Sequence, residues 1–220
     1  MMSEEKEQAP LLDGASVERV FEALSGVVEP HCELNHGTAL ELLVAVVLSA
    51  QATDESVNRV TPGLWRDCRC PADYVALGEE RLGERIRSIG LWRSKARSLV
   101  GLCRRLDEAF GGEVPSTREA LMSLPGVGRK TANVVLNVWF RQPTLAVDTH
   151  VFRVANRIGL VRESTPEAVE EALLRRVPAR WLVDAHHYLL LHGRYTCTAR
   201  RPGCAGCALR GLCLRVGVAD

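Results

Sequence analysis

The 220-residue chain has no run of about 18 apolar residues, which excludes a transmembrane helix. It has no alternating apolar and polar stretch convincing enough for a half-buried strand, so no sheet is expected. Nothing repeats at a period of roughly 20–50 residues, which removes solenoids and propellers. The start, Met1-Met2-Ser3-Glu4-Glu5-Lys6, is acidic and lacks the apolar core of a secretory signal. The expected compartment is the cytoplasm, where thiols stay reduced. Net charge is nearly absent as well, at +1 from 28 basic and 27 acidic side chains. A polyanion would therefore have to meet a local patch. Residues 1–31 hold seven acids and two bases, net −5, whereas residues 194–220 hold five arginines and one aspartate, net +4. The basic end is the expected electrostatic footprint.

What is present is helical periodicity on an ordinary globular composition, 46% hydrophobic and 25% charged. That length suits one large domain or two small ones. After a tail over residues 1–15, Val17, Val20, Phe21, Leu24 and Val28 recur at helical spacing. Thr38-Ala39-Leu40-Glu41 reads as a capping box. The helix it opens, 40–50, is apolar on nearly every side and so belongs in a core. Residues 54–110 give several short helices with breaks at Pro62-Gly63, Pro71 and Gly90. A longer amphipathic helix over 94–110 is stopped by Gly111-Gly112. Ser116 to Glu119 reads as a second capping box, and 130–140 is strongly apolar. Asp148 can cap a helix over 149–158 that Gly159 closes. Thr165-Pro166 starts another helix, and a last one over 181–192 ends at Gly193. The fold class is all-α, with about ten helices, a possible connector at Gln142-Pro143-Thr144 and an irregular C-terminal loop.

The stretch that carries chemistry is Leu124-Pro125-Gly126-Val127-Gly128-Arg129-Lys130-Thr131-Ala132-Asn133. A Pro-Gly-x-Gly turn runs into a helix, and a helix N-terminus offers free N–H groups and partial positive charge to a phosphate. The same field disfavours an ammonium, which would make Lys130 a usable amine nucleophile. Asp148, 18 residues on, could stabilise a developing sugar cation or serve only as an N-cap. Gln51 ends the buried helix and could probe a ligand, or simply be solvated. Ile89-Gly90-Leu91-Trp92 could present an apolar wedge to a base stack, or pack as core. His186, His187 and His192 make a poor chelate and read as structural or phosphate-facing.

Of eight cysteines, Cys32, Cys68, Cys70 and Cys103 are scattered and read as buried small apolar groups. Cys197, Cys204, Cys207 and Cys213 have the spacing C-x6-C-x2-C-x5-C, which in a reducing compartment implies a metal centre. A four-cysteine zinc site usually shows two C-x2-C knuckles, and only Cys204 to Cys207 forms one. Spacing leaves zinc and an iron–sulfur cluster both open. Arg200, Arg201, Arg210 and Arg215 stud the loop and could face phosphate or balance an anionic cluster.

Together, residues 124–132, Val147-Asp148-Thr149-His150, Leu48-Ser49-Ala50-Gln51-Ala52-Thr53-Asp54, His192-Gly193-Arg194-Tyr195-Thr196-Cys197 and the cysteine loop resemble the endonuclease III family. These are helix-hairpin-helix base-excision glycosylases, and the resemblance spans roughly residues 30–215. It implies two all-α lobes with a DNA cleft between them. One is a six-helix barrel domain over 32–142 carrying the hairpin; the other is built from 1–31 plus 143–220 and holds a [4Fe–4S] cluster. It implies a monomeric DNA glycosylase and abasic-site lyase acting on oxidised pyrimidines in damaged double-stranded DNA. Lys130 would be the nucleophile and Asp148 the catalytic aspartate. Cys197, Cys204, Cys207 and Cys213 would hold the cluster, which the resemblance favours over zinc. Gln51 would fill the gap left by the flipped base, Leu91 would wedge opposite it, and Gly126 and Gly128 would grip a backbone phosphate. His150 would join these DNA contacts. Trp92 stands where a smaller aromatic is expected, and the tail Val216-Gly217-Val218-Ala219-Asp220 lacks the expected basic character. The competing readings are an adenine-mismatch glycosylase, which would lack a lysine at position 130, and a non-catalytic DNA-binding module.

Overall fold

The computed structural model describes residues 10–218. Ten α-helices and two short 3₁₀ turns form the regular structure, and no strand occurs among the described residues. In chain order the helices are α1 (Gly14–Ser25), α2 (Ala39–Leu48), α3 (Asp54–Asp67), α4 (Pro71–Arg85), α5 (Trp92–Phe110), α6 (Arg118–Met122), α7 (Arg129–Val138), α8 (Thr149–Ile158), α9 (Pro166–Arg176) and α10 (Leu182–Tyr195). None of the described helices is long and apolar enough to cross a membrane. The chain divides into two compact units, Cys32–Gln142 and Met1–His31 with Pro143–Asp220.

In the Cys32–Gln142 unit everything is built on α2. Thr38 accepts from Glu41 N at 3.1 Å, while the Glu41 carboxylate accepts from Gly37 N at 2.6 Å, so both groups hold the start. Every residue from Leu42 to Leu48 is buried. The helix packs against α3, α5 and α7, and truncating a fully buried leucine such as Leu43 would cost about 2–5 kcal/mol. Four boundaries differ from those the sequence predicts. Helix α3 runs through Pro62-Gly63: its Thr53 cap and its buried stripe of Val57, Thr61 and Leu64 outweigh the loss of one backbone bond at proline. Helix α5 begins at Trp92 rather than Ser94. The cap of α6 is Thr117, which accepts from Ala120 N at 3.3 Å, and not Ser116. Gly78 interrupts α4 at φ +76°, a kink that no pattern in the sequence marks.

In the other unit, α1, α8, α9 and α10 enclose a core that includes Val20, Phe21, Leu24, Val151, Val154 and Leu189. Of the tail expected over 1–15, residues 1–9 lie outside the described residues. Leu12 is buried and Asp13 caps α1 by accepting from Ser16 N at 2.7 Å, so order begins before Val17. Gly193 does not end its helix. It lies inside α10 because a Cβ there would stand 2.9 Å from His150 Cβ and 3.0 Å from Val154 Cγ2, so glycine lets α10 and α8 approach closely.

Candidate active site and cysteine loop

The hairpin consists of α6, the turn 123–128 and α7. Leu121, Leu124 and Val127 are buried and turn the loop inward at its apolar positions. Val127 N bonds Leu124 O at 3.1 Å, and Ala132 N closes the first turn of α7 on Gly128 O at 3.0 Å. The two glycines do different work. Gly126 has φ +78°, and a Cβ there would lie 2.8 Å from Ser98 Cβ of α5, so both its backbone and its space demand glycine. Gly128 is extended at φ −94° with nothing near its Cβ direction. It is the N-cap of α7, and no side chain caps that helix. The start of α7 thus presents backbone N–H groups with no side-chain competitor for an anion. Lys130 is exposed at the second position of this helix.

Gln51 and Leu91 belong to the same unit. Both are exposed, Leu91 by 60%. Both also sit in the left-handed region, at φ 54° and φ 61°, which costs an L-residue roughly 1–2 kcal/mol. Strain of this kind persists where the surroundings enforce it, and it collects at functional sites. The two loops adjoin, since a Cβ on Gly90 would come 3.8 Å from Gln51 O. Ile89 is core, whereas Leu91 is the apolar tip. Trp92 is half-buried, with the Arg93 guanidinium 4.0 Å from its ring centre.

In the other unit, Asp148 caps α8. Its Oδ1 accepts from His150 N at 2.9 Å and Val151 N at 2.8 Å, leaving Oδ2 without a hydrogen bond among the described residues. His150 is half-buried, and its Nδ1 lies 3.2 Å from an Arg153 guanidinium nitrogen. Two arginines that no sequence motif singled out stand one turn apart on α8 and anchor the cysteine loop. Arg153 donates to Cys197 O at 3.1 Å and Gly193 O at 2.8 Å. Arg157 donates to Thr198 O at 2.7 Å and Ala199 O at 2.8 Å. Their i, i+4 spacing was the signal available. The chain returns along the end of α8 through Leu214 N to Ile158 O at 3.1 Å and Val216 N to Arg157 O at 3.0 Å.

Cys197, Cys204, Cys207 and Cys213 carry no disulfide and line one pocket, partly open to solvent. Leu209 N donates to Cys207 Sγ at 3.4 Å and Arg215 N to Cys213 Sγ at 3.3 Å. Burial pushes both of those thiols up, and these N–H groups pull them back. No three His, Cys, Asp or Glu among the described residues are gathered for a single ion. The four thiols nevertheless line the same pocket, a donor set that suits a thiolate-held metal centre. His192 is buried beside Cys207, Nε2 to Sγ 3.8 Å, and burial lowers its pKa to about 4. It faces the cysteine pocket rather than a phosphate, and His186 and His187 are likewise buried. Arg200, Arg201, Arg210 and Arg215 are exposed around the loop.

The HhH-GPD superfamily of base excision DNA repair proteins matches this chain over residues 44–179. Endonuclease III of Treponema pallidum is 53% identical over 206 residues, covering 93% of this chain and 98% of its own. Endonuclease III of Escherichia coli K12 is 54% identical, covering 84% and 87%. A solved structure of a trapped endonuclease III–DNA covalent intermediate superposes with a TM-score of 0.88 at 45% identity, covering 93% of this chain and 97% of that one. Fold, motifs and overall similarity agree: the chain belongs to the endonuclease III family within the HhH-GPD superfamily.

Proposed function

We propose that the chain excises oxidised pyrimidines from damaged duplex DNA and then cuts the strand by β-elimination, acting as a monomer with a [4Fe–4S] cluster on its four C-terminal cysteines. Its enzyme class is that of its family, a base excision repair DNA glycosylase/lyase. The observation that carries the finer reading is Lys130, an exposed amine on the side-chain-uncapped start of α7. A relative with the same fold has been trapped covalently on DNA, which requires a protein nucleophile.

The target base must leave the stack, at roughly a few kcal/mol and least for a damaged pair. Gln51 and Leu91 enter the vacated space, and the hairpin N–H groups hold backbone phosphate. The Lys130 amine attacks C1′ of the sugar. The C1′–N bond to the base breaks, its electron pair departs with the base, and the base takes up a proton. Ring opening gives the Schiff base between C1′ and Nζ. Loss of a C2′ proton then expels the 3′ phosphate and cuts the strand 3′ to the lesion. Asp148 uses Oδ1 for its helix cap, while Oδ2 stabilises positive charge as it develops on the sugar. The cluster, when bound, supplies thiolate–iron bonds that fix a loop too short to pack alone. Arg153 and Arg157 hold the carbonyls of that loop.

Borohydride should trap the protein on abasic DNA, and Lys130→Gln should abolish the trapped species. Normal trapping by that variant would overturn the nucleophile. Excision of thymine glycol separates this reading from mismatch-adenine removal and from a non-catalytic module. Purified protein should be yellow-brown; a colourless, zinc-loaded protein would overturn the cluster.

A further inference from the structure

One buried side chain ties together the two loops that carry Gln51 and Leu91. Lys95 lies in the first turn of α5 and is 6% exposed. Its Nζ donates to Leu48 O, the last residue of α2, at 2.9 Å. Its backbone N bonds Leu91 O at 3.0 Å. Leu48 lies three residues before Gln51, and Leu91 is itself the left-handed N-cap of α5, with no side-chain cap of its own.

The chemistry of this contact is unusual for ordinary core. A buried ammonium is costly, and no carboxylate lies within ion-pair distance of Lys95 among the described residues. Burial accordingly lowers its pKa. What the charge meets is the C-terminus of an apolar helix, where unpaired carbonyls and the negative dipole end favour a cation. A leucine or methionine of similar volume would fill the space without desolvation cost, but could not bond a carbonyl. The lysine therefore gives position rather than packing. It fixes the exit of α2 to the entry of α5, and so fixes two strained residues relative to each other.

We propose that Lys95 is a positioning residue that holds Gln51 and Leu91 in the mutual register needed for both to enter the duplex together. This rests on the reading of those two side chains as DNA probes, and the test separates the two ideas. Lys95→Met, Gln51→Ala and Leu91→Ala are compared in single-turnover excision of thymine glycol. One duplex carries the lesion fully paired; the other carries it opposite a one-nucleotide gap, where no opposing base needs support. Misplacement by about 1 Å can cost roughly a hundredfold, so K95M should slow excision from the paired duplex by roughly ten- to a hundredfold. On the gapped duplex the loss should shrink to about threefold or less. Combining K95M with L91A should add less than about twofold to the slower single variant, because both remove one function.

If Q51A and L91A are slow on paired DNA while K95M matches wild type, the positioning role is wrong. The same conclusion follows if K95M slows both duplexes equally, which is the signature of general damage. If Q51A and L91A themselves act at the wild-type rate, the probe reading fails instead. Should K95M not fold by circular dichroism, Lys95→Gln retains one donor in its place. It is then expected to fall between wild type and L91A on paired DNA and to match wild type on gapped DNA; equal slowing on both refutes the role.

Discussion

Gly126 and Gly128 stand two residues apart in one motif, yet the geometry assigns them separable roles, and substituting each by alanine tests this directly. At Gly126 an alanine would carry φ +78°, a left-handed conformation worth roughly 1–2 kcal/mol against an L-residue. Its Cβ would also stand 2.8 Å from Ser98 Cβ. That atom is fixed to the backbone of α5 and cannot swing aside, so overpacking adds about 1–3 kcal/mol. G126A should therefore lose roughly 2–5 kcal/mol, or about 4–20 °C in the thermal midpoint of a chain this size. At Gly128 the backbone is extended and nothing lies within 4 Å of the added methyl. G128A should cost less, up to about 1 kcal/mol or roughly 2–4 °C, the preference for glycine over alanine at an N-cap. It should nonetheless weaken DNA binding, because the methyl stands at the N-cap of α7, where the proposed function puts a backbone phosphate. A cycle with Ser98→Gly isolates the contact: in that background G126A should cost only the backbone term, about 1–2 kcal/mol. Differential scanning fluorimetry and a fluorescence-anisotropy titration on abasic-site duplex supply both readouts. Equal destabilisation by the two alanines would refute the assignment, and so would a G126A cost unchanged in the Ser98→Gly background.

Gly193→Ala should drive α10 off α8 through His150 Cβ and Val154 Cγ2, lowering stability by about 1–3 kcal/mol in denaturant titration; a neutral result would mean that the pair slides freely. Arg157→Met removes the bonds to Thr198 O and Ala199 O, and the visible absorbance of the purified protein should bleach roughly tenfold faster under mild oxidant; an unchanged rate would place the loop's rigidity elsewhere. The Trp181 indole N–H, and then the Arg180 guanidinium, hold the Glu18 carboxyl below its ordinary 4.5. A carboxyl depressed in the folded state contributes stability above its unfolded value and loses it as pH falls through the folded one. Stability measured from pH 6 down to 3 should therefore fall less steeply in Glu18→Gln, and parallel curves would show that the contact carries no linkage.

Much of the helix layout was legible because it is written in local terms. Thr38, Asp148 and Thr165 each accept from a backbone N–H of the following turn, as their residue types and spacing indicate. The burial of α2 follows from its having no polar face. Two of the misplaced boundaries share a cause: a glycine or proline can break a helix locally and still be retained for a tertiary reason. Pro62 lies inside α3 and Gly193 inside α10 because buried contacts outweigh local preference. Gly78 kinks α4 although nothing in its neighbourhood announces a turn. His192 could not be assigned to the cysteine pocket by spacing, since its contact with Cys207 joins residues 15 positions apart across the loop that leaves α10.

By itself the sequence determined the all-α class, the family motifs, the side-chain chemistry available at Lys130 and Asp148, and the grouping of four thiols in one short loop, because each depends on residues close together in the chain. Only the tertiary structure decided which glycine of the hairpin is spatially obligatory, which arginines hold the cysteine loop, and that Lys95 joins the ends of α2 and α5. These depend on contacts between residues tens of positions apart, and the distance between such atoms is set by packing, which no local pattern encodes.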